Sequence, residues 1–249
     1  MSDTIREDFK LPSLGKIYSQ QFNPNVTLRS MTVEDEMKRL SPSKKPYKAM
    51  SEIIESCMVE KLPISVYDLC MGDYIYLLYK LRIVTYGSEY NMQYVCPSCG
   101  SLEKVKVNLD KLKINKFTEK LKDSLNVELP VSKKIIKLRM QTPRDFDDIA
   151  EKTEEMKEEF PEMTGDPSYL LTLQSFIAGI DGNPVDQIMI KEFLKKLPMA
   201  DANKLIQSAT KVNNMIGVEG SIKVTCENCG LSTTLPFRFT DEFFRPTIN

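Results

Sequence analysis

Hydrophobic periodicity divides the first third of the chain into helices. Val33-Glu34-Asp35-Glu36-Met37-Lys38-Arg39 follows Thr32 with acids first and bases last, the charge order that complements a helix dipole, and Ser41-Pro42 ends the run. From Tyr47 to Val59 the apolar positions Met50, Ile53, Ile54, Cys57 and Met58 recur at helical spacing and predict a second helix with one apolar face. Ser65 to Tyr86 is apolar nearly all round, through residues such as Val66, Leu69, Leu77, Leu78 and Leu81. It predicts a central, mostly buried helix, with Asp68, Asp73, Lys80 and Arg82 as its solvent-facing charges.

The period then changes from helical to alternating. Tyr90–Val95 and Lys104–Val107 flank Cys96-Pro97-Ser98-Cys99-Gly100, and Ser221–Thr225 and Thr233–Phe239 flank Cys226-Glu227-Asn228-Cys229-Gly230. Each set predicts a β-hairpin with a C-x-x-C-G knuckle at its tip. Between the knuckles, Val127–Val131 and Ile135–Met140 read as a strand pair turning at Ser132-Lys133-Lys134. Helices are predicted from Thr142 to Phe160, Pro167 to Gly179, Asp186 to Leu197, and Pro198 or Asp201 to Met215. Ile180-Asp181-Gly182-Asn183-Pro184 is a turn whose Pro and glycine position break the EF-hand pattern.

These elements give an α+β fold, a mainly helical body with a discontinuous four-cysteine zinc ribbon interrupted by a large inserted α+β segment. The expected divisions are an extended arm at 1–30, a helical segment at 31–87, a first hairpin at 88–110, an insertion at 111–218, a second hairpin at 219–240 and a tail at 241–249.

The knuckles carry the chemistry. A two-residue spacing lets one tight turn aim two sulfurs at a point, and the trailing glycine permits the positive φ that frees backbone N–H groups toward the thiolates. Cys96, Cys99, Cys226 and Cys229 therefore form one tetrahedral site, one structural Zn²⁺ per chain by default, with a rubredoxin-type iron site using the same pattern. Four thiolates leave no open position for water or substrate, so such a metal is a staple. Cys57 and Cys70 have no close cysteine in sequence and read as small core hydrophobes.

Composition narrows the classes further. The chain has 249 residues, 41% hydrophobic and 28% charged, with a net charge of −1. No global basic field gathers nucleic acid; lysines at 104, 106, 111, 113, 116, 120, 122, 133, 134 and 137 read as a solvated face, with a nucleic-acid stripe as the weaker alternative. There is no histidine, which removes histidine general bases and Ser-His-Asp or Cys-His nucleophiles, and no phosphate-loop, dinucleotide or H-E-x-x-H motif occurs. A non-enzyme is expected. Met1-Ser2-Asp3-Thr4 opens no cationic-then-apolar leader, and no apolar run is long enough to span a bilayer, so neither a membrane partner nor export is expected.

Three segments present apolar side chains without a periodic face to hold them. In the arm, Leu11, Leu14 and Tyr18 need grooves on this chain or on a partner. Tyr74, Tyr76 and Tyr79 mark the face of the central helix expected to meet a partner or a second copy. Phe243 and Phe244 near the end form a candidate clip.

The combination of Leu11-Pro12-Ser13-x-Gly15-x-x-Tyr18, Gly72-Asp73-Tyr74, Leu81-Arg82-Ile83, Tyr86-Gly87, the first knuckle, Ile180-Asp181-Gly182, Leu197-Pro198-Met199-Ala200-Asp201 and the second knuckle resembles the T4-type phage baseplate protein family. The likeness covers nearly the whole chain, with the knuckles its most diagnostic part. It implies a role in building the central hub of a contractile-tail baseplate, as an assembly factor or a minor hub component. It implies hub proteins as partners, the host cytoplasm during assembly or the virion tail as location, and no catalytic residues.

Overall fold

The structure of the protein, a computed structural model, describes residues 5–162, 164–236 and 241–244. Its helices and small antiparallel sheets make an α+β fold. The arm is less extended than expected: β1 (Arg6–Lys10) pairs antiparallel with β2 (Asn25–Arg29), and the intervening loop carries Leu11 into the core. Helix α1 (Val33–Arg39) starts at Thr32 with a reciprocal cap, in which Asp35 accepts from the Thr32 N–H and hydroxyl. Asp35 also accepts from Arg29 and Ser56. Burial opposes its charge, but these donors outweigh burial and hold the carboxyl well below the usual range.

Helix α2 (Pro46–Cys57) lacks a side-chain cap of its own. Its first N–H groups, on Tyr47 and Lys48, instead donate to Asp147, 3.3 and 2.8 Å away, a residue distant in sequence. The long helix expected from Ser65 breaks. A short turn at Val66–Asp68 is followed by extended Leu69 and Cys70, and α3 runs from Met71 to Tyr86. The break arises because backbone donors there have partners outside any helix: Cys70 N–H donates to the Tyr18 hydroxyl and Met71 N–H to the Gln141 carbonyl.

The charges on α3 are not its solvent face, which corrects the sequence reading for Asp73 and Arg82: both are fully buried. Asp73 accepts from Ser13 N–H at 2.9 Å and from the Tyr18 hydroxyl at 2.7 Å, so the arm docks on its own chain. Arg82 donates to the carbonyls of Phe243, Gly87 and Glu89, holding the end of α3 and the tail together.

Strands β3 (Glu89–Val95) and β4 (Leu102–Asn108) form the first hairpin. Beyond it come β5 (Ile114–Asn115), α4 (Lys120–Ser124), β6 (Asn126–Glu128), β7 (Ile135–Leu138) and α5 (Pro143–Glu159). Helix α6 (Pro167–Ser175) stops four residues short of its expected end, because Ile177–Ile180 joins the sheet as β8 against β7. Sheet pairing overrides local helical pattern here. Asp181 and Gly182, both at positive φ, turn β8 into β9 (Asn183–Pro184), completing a sheet of order β6-β7-β8-β9. Helices α7 (Gln187–Lys195) and α8 (Met199–Asn213) precede β10 (Gly217–Val218), which pairs with β5. The second hairpin is β11 (Ser221–Thr225) with β12 (Ser232–Pro236); its expected continuation to Phe239 lies outside the described residues, as does the tail beyond Phe244.

Two apolar clusters result. One gathers around α3 with Leu11, Leu28, Ile54 and Phe243, and the other gathers residues of 117–216 with Cys70. They meet where Gly72 packs against the backbone of Ile216 and Gly217. A Cβ on Gly72 would strike the Ile216 carbonyl oxygen, so only glycine lets these backbones touch.

Tyr18→Phe should lower unfolding free energy by about 1–3 kcal/mol in urea titrations, since it strips a donor from buried Asp73. Burial, with Cys70 and Asp73 beside it, keeps the Tyr18 hydroxyl protonated far above the ordinary tyrosine range. Its stabilisation is therefore full below about pH 10 and lost as pH rises beyond, so the gap between wild type and variant should narrow there.

Candidate metal centre

Local backbone geometry at the two hairpin tips is the same. In the first, Cys96 N–H donates to Ser101 C=O and Gly100 N–H to Cys96 C=O, at 2.9 and 3.0 Å; in the second, Cys226 N–H donates to Leu231 C=O and Gly230 N–H to Cys226 C=O, both at 2.9 Å. Gly100 and Gly230 sit at φ of 71° and 72°, which spares a side chain the strain of the left-handed region. The N–H of Ser101 turns toward Cys99 and that of Leu231 toward Cys229, as the knuckle spacing predicts.

Tertiary packing brings the tips face to face. Cys96 Sγ lies 3.7 Å from Cys229 Sγ, and Cys99 Sγ 3.7 Å from Cys226 Sγ. All four sulfurs fall within 4.8 Å of one another. The separations are far beyond a disulfide bond, and a tetrahedron with metal–sulfur bonds of about 2.3 Å has edges of about 3.8 Å, so the donor set fits a tetrahedral thiophilic cation. Cys96 and Cys226 are buried with Tyr94 and Val224, whereas Cys99 and Cys229 face outward.

Electrostatics support the fit. Hydrogen bonding with Ser101, at its hydroxyl and N–H, and with Asn228 pulls the Cys99 thiol down to about 6. At Cys229 the Leu231 N–H acts in the same direction, but desolvation and the neighbouring cysteines outweigh it and push the thiol up to about 11. One thiolate forms readily and opposes the next; a bound cation removes that opposition.

Glu103 is a contributor that spacing did not reveal. Placed on β4, it accepts from the Ser101 hydroxyl at 2.7 Å and from the Glu227 backbone N–H at 3.2 Å, crossing from one hairpin to the other knuckle. Nothing in an alternating strand distinguishes such a carboxylate from a solvated one. Its pairing depends on a fold partner more than a hundred residues away.

A family model described as T4 bacteriophage base plate protein matches residues 1–245. The chain belongs to that family. Comparison with curated proteins finds no match, and neither does comparison with solved structures. Membership points to a structural or assembly role in the phage base plate, to other base plate proteins as partners and to the virion tail. Among the described residues no helix is long and apolar enough to cross a membrane.

The residues expected to face a partner of this base plate protein are mostly internal, which corrects that expectation. Leu11, Tyr74, Tyr76, Tyr79, Phe243 and Phe244 are buried, and Leu14 and Tyr18 are half-buried against the chain's own core. Phe243 packs on the rings of Tyr79 and Tyr90 with centroids 4.8 and 5.4 Å apart. The physical reason is that α3 is surrounded: the arm, α2, residues of both strands of the first hairpin and the tail residues converge on it.

In reduced, chelator-treated protein, Cys99 should alkylate first among the six cysteines, at a rate that rises through about pH 6. Cys57 and Cys70 are buried, and desolvation pushes their thiols up, to about 11 at Cys57. Peptide mass spectrometry after brief iodoacetamide exposure reads the order; equal labelling of Cys57 and Cys99 contradicts it.

Proposed function

We propose that the chain is a non-enzymatic assembly factor that promotes formation of the base plate's central hub through protein–protein binding, with a zinc ribbon as its structural staple. The observation that carries the reading is the whole-chain family match. An assembly factor acts by binding one conformation of a subunit and shielding apolar surface until the next subunit covers it, which requires exposed contact surface and no reacting groups. The absence of histidine agrees, since it removes the commonest general base.

The four-sulfur cluster supports a single structural Zn²⁺, held by Cys96, Cys99, Cys226 and Cys229. Bound there, it supplies a rigid joint between the hairpins and no catalysis, because every coordination position is a protein thiolate. Iron would occupy the same donors. A minor hub subunit retained in the virion is the alternative role, favoured by a family description that names a base plate protein without mentioning assembly. The nucleic-acid reading is weaker: Lys113, Lys122, Lys133 and Lys134 pair with carboxylates and are not a free stripe.

Quantitative mass spectrometry of finished tails beside infected-cell lysate separates the first two roles. Abundance in lysate with absence from tails is expected; a fixed copy number per tail selects the subunit instead. Elemental analysis should return about one zinc per chain. Cys96→Ser or Cys229→Ser should raise amide exchange across β3–β4 and β11–β12; full protection in a metal-free protein contradicts the staple.

A further inference from the structure

Helix α1 presents an apolar stripe to solvent. Val33, Met37 and Leu40 follow one another at i, i+4 and i+7 and are 79%, 66% and 66% exposed. Asp35, on the opposite side of the helix, is tied to Arg29, Thr32 and Ser56, so the stripe is held outward by a fixed anchor. Large apolar side chains singly exposed need no explanation, but three in one helical row do.

At the C-terminal end of α1 opens a groove of about 410 Å³, floored by Met50, Ile53, Met71, Ile75 and Leu78. Arg39, Ser41 and Ser43 form one of its walls, so α1 ends at its edge. An exposed apolar stripe and a recess at the end of the same helix are elements from which a self-complementary contact can be built, each copy supplying both halves.

Charge sets the occupant and its direction. The first turn of α1 is acidic, with Glu34 and Glu36, and the last is basic, with Lys38 and Arg39. Parallel stacking of two such helices sets like charges together. Antiparallel stacking about the middle of the stripe puts Val33 of one copy opposite Leu40 of the other and brings Glu34 near Lys38 in both directions. The existing Glu34–Lys38 pair, 2.8 Å apart, is 78% and 58% exposed, so exchanging it for an intermolecular pair costs little.

We propose that α1 is the centre of a two-fold dimer of this chain, with Val33, Met37 and Leu40 packed antiparallel against the same residues of a second copy and the groove walls completing the contact. Three side chains fall short of the roughly 800 Å² per partner of a stable complex, so the dimer depends on the groove edges and forms weakly, with a concentration-dependent population. The inference is independent of the metal and of the hub role.

Sedimentation equilibrium of the full-length protein is the test. The mass of wild type should rise with loading concentration from 28.5 kDa toward twice that value. Met37→Glu should raise the dissociation constant about tenfold or more, with circular dichroism and melting temperature unchanged because Met37 is exposed. Glu34→Lys and Lys38→Glu each break the pair within the helix and set like charges across the dimer, so each alone should associate more weakly than wild type; mixed together they should form a heterodimer tighter than either homodimer, since opposite charges then face each other in both directions. That recovery cannot come from the intrahelical pair, which is broken in both variants. A wild type that stays monomeric at every concentration, a Met37→Glu variant that associates as well as wild type, or a mixture that fails to associate overturns the proposal. In the first case the stripe belongs to a different base plate protein.

Discussion

The buried carboxylate in the first turn of α3 is the constraint on which the rest of the structure depends. Asp73 has no exposure, and desolvation pushes its carboxyl above the usual range against the pull of Ser13 and Tyr18. A charge so placed is tolerated only while its donors stay in position, so it fixes the arm on α3 and the arm's loop on the second cluster, where Leu14 and Ile17 pack. One residue earlier, Gly72 admits the backbone of Ile216, and three earlier Cys70 contributes to the second cluster. The start of α3 is thus the point at which arm, central helix and inserted segment share their backbones. None of the three can shift without uncovering a polar group or opening a void.

The same device recurs. Asp147 receives the first N–H groups of α2 and the Tyr67 hydroxyl, and Asp201 receives the N–H groups of Val131 and Ser132 in the turn between β6 and β7. Each is a buried acid on a helix that terminates a distant piece of backbone. Arg82 is the cationic counterpart, satisfying carbonyls where α3 passes into β3 and where the tail returns. A net charge near zero hides this use of charge, because these side chains organise backbone and do little for the surface.

What was legible in the sequence follows from the range of the interaction. The knuckles, the Thr32 cap of α1 and the Asp181-Gly182 turn are fixed by residues within five positions of one another, and their residue types carried them. The break before Met71 was not legible, since Leu69 and Cys70 keep a helical pattern while the N–H groups of Cys70 and Met71 find partners at Tyr18 and Gln141. The same limit misassigned Tyr74, Tyr76 and Tyr79: periodicity showed a helix apolar all round but not that the arm and Phe243 cover it. At the four-cysteine site the convergence of the cysteines was readable and Glu103 was not, because its acceptor role exists only once the hairpins meet.

Closure of the inserted segment bears on what the four sulfurs contribute. A link between the knuckles closes a loop of more than a hundred residues, and in a chain-entropy account such a link restricts the unfolded state considerably. Yet β5 already pairs with β10 through Asn115 and Gly217, and Gly217 lies against Gly72, so the ends of the segment are joined in the folded chain without the sulfurs. The apolar cluster within 117–216 has its own buried Leu129, Ile136, Leu138 and Leu205 to hold it. The hairpins are in the opposite position. Among the described residues their shared cluster is Tyr94, Cys96, Val224 and Cys226 with a few half-buried neighbours, and Val95 and Leu102 beside the first knuckle stand exposed. With so little apolar surface between them, the relative placement of the two tips rests on Glu103, on Asn228 against Cys99 and on whatever joins the thiols. A metal held by the four thiols would therefore act most strongly on the part of the described molecule with the smallest core, while the larger clusters hold through the contacts at the start of α3.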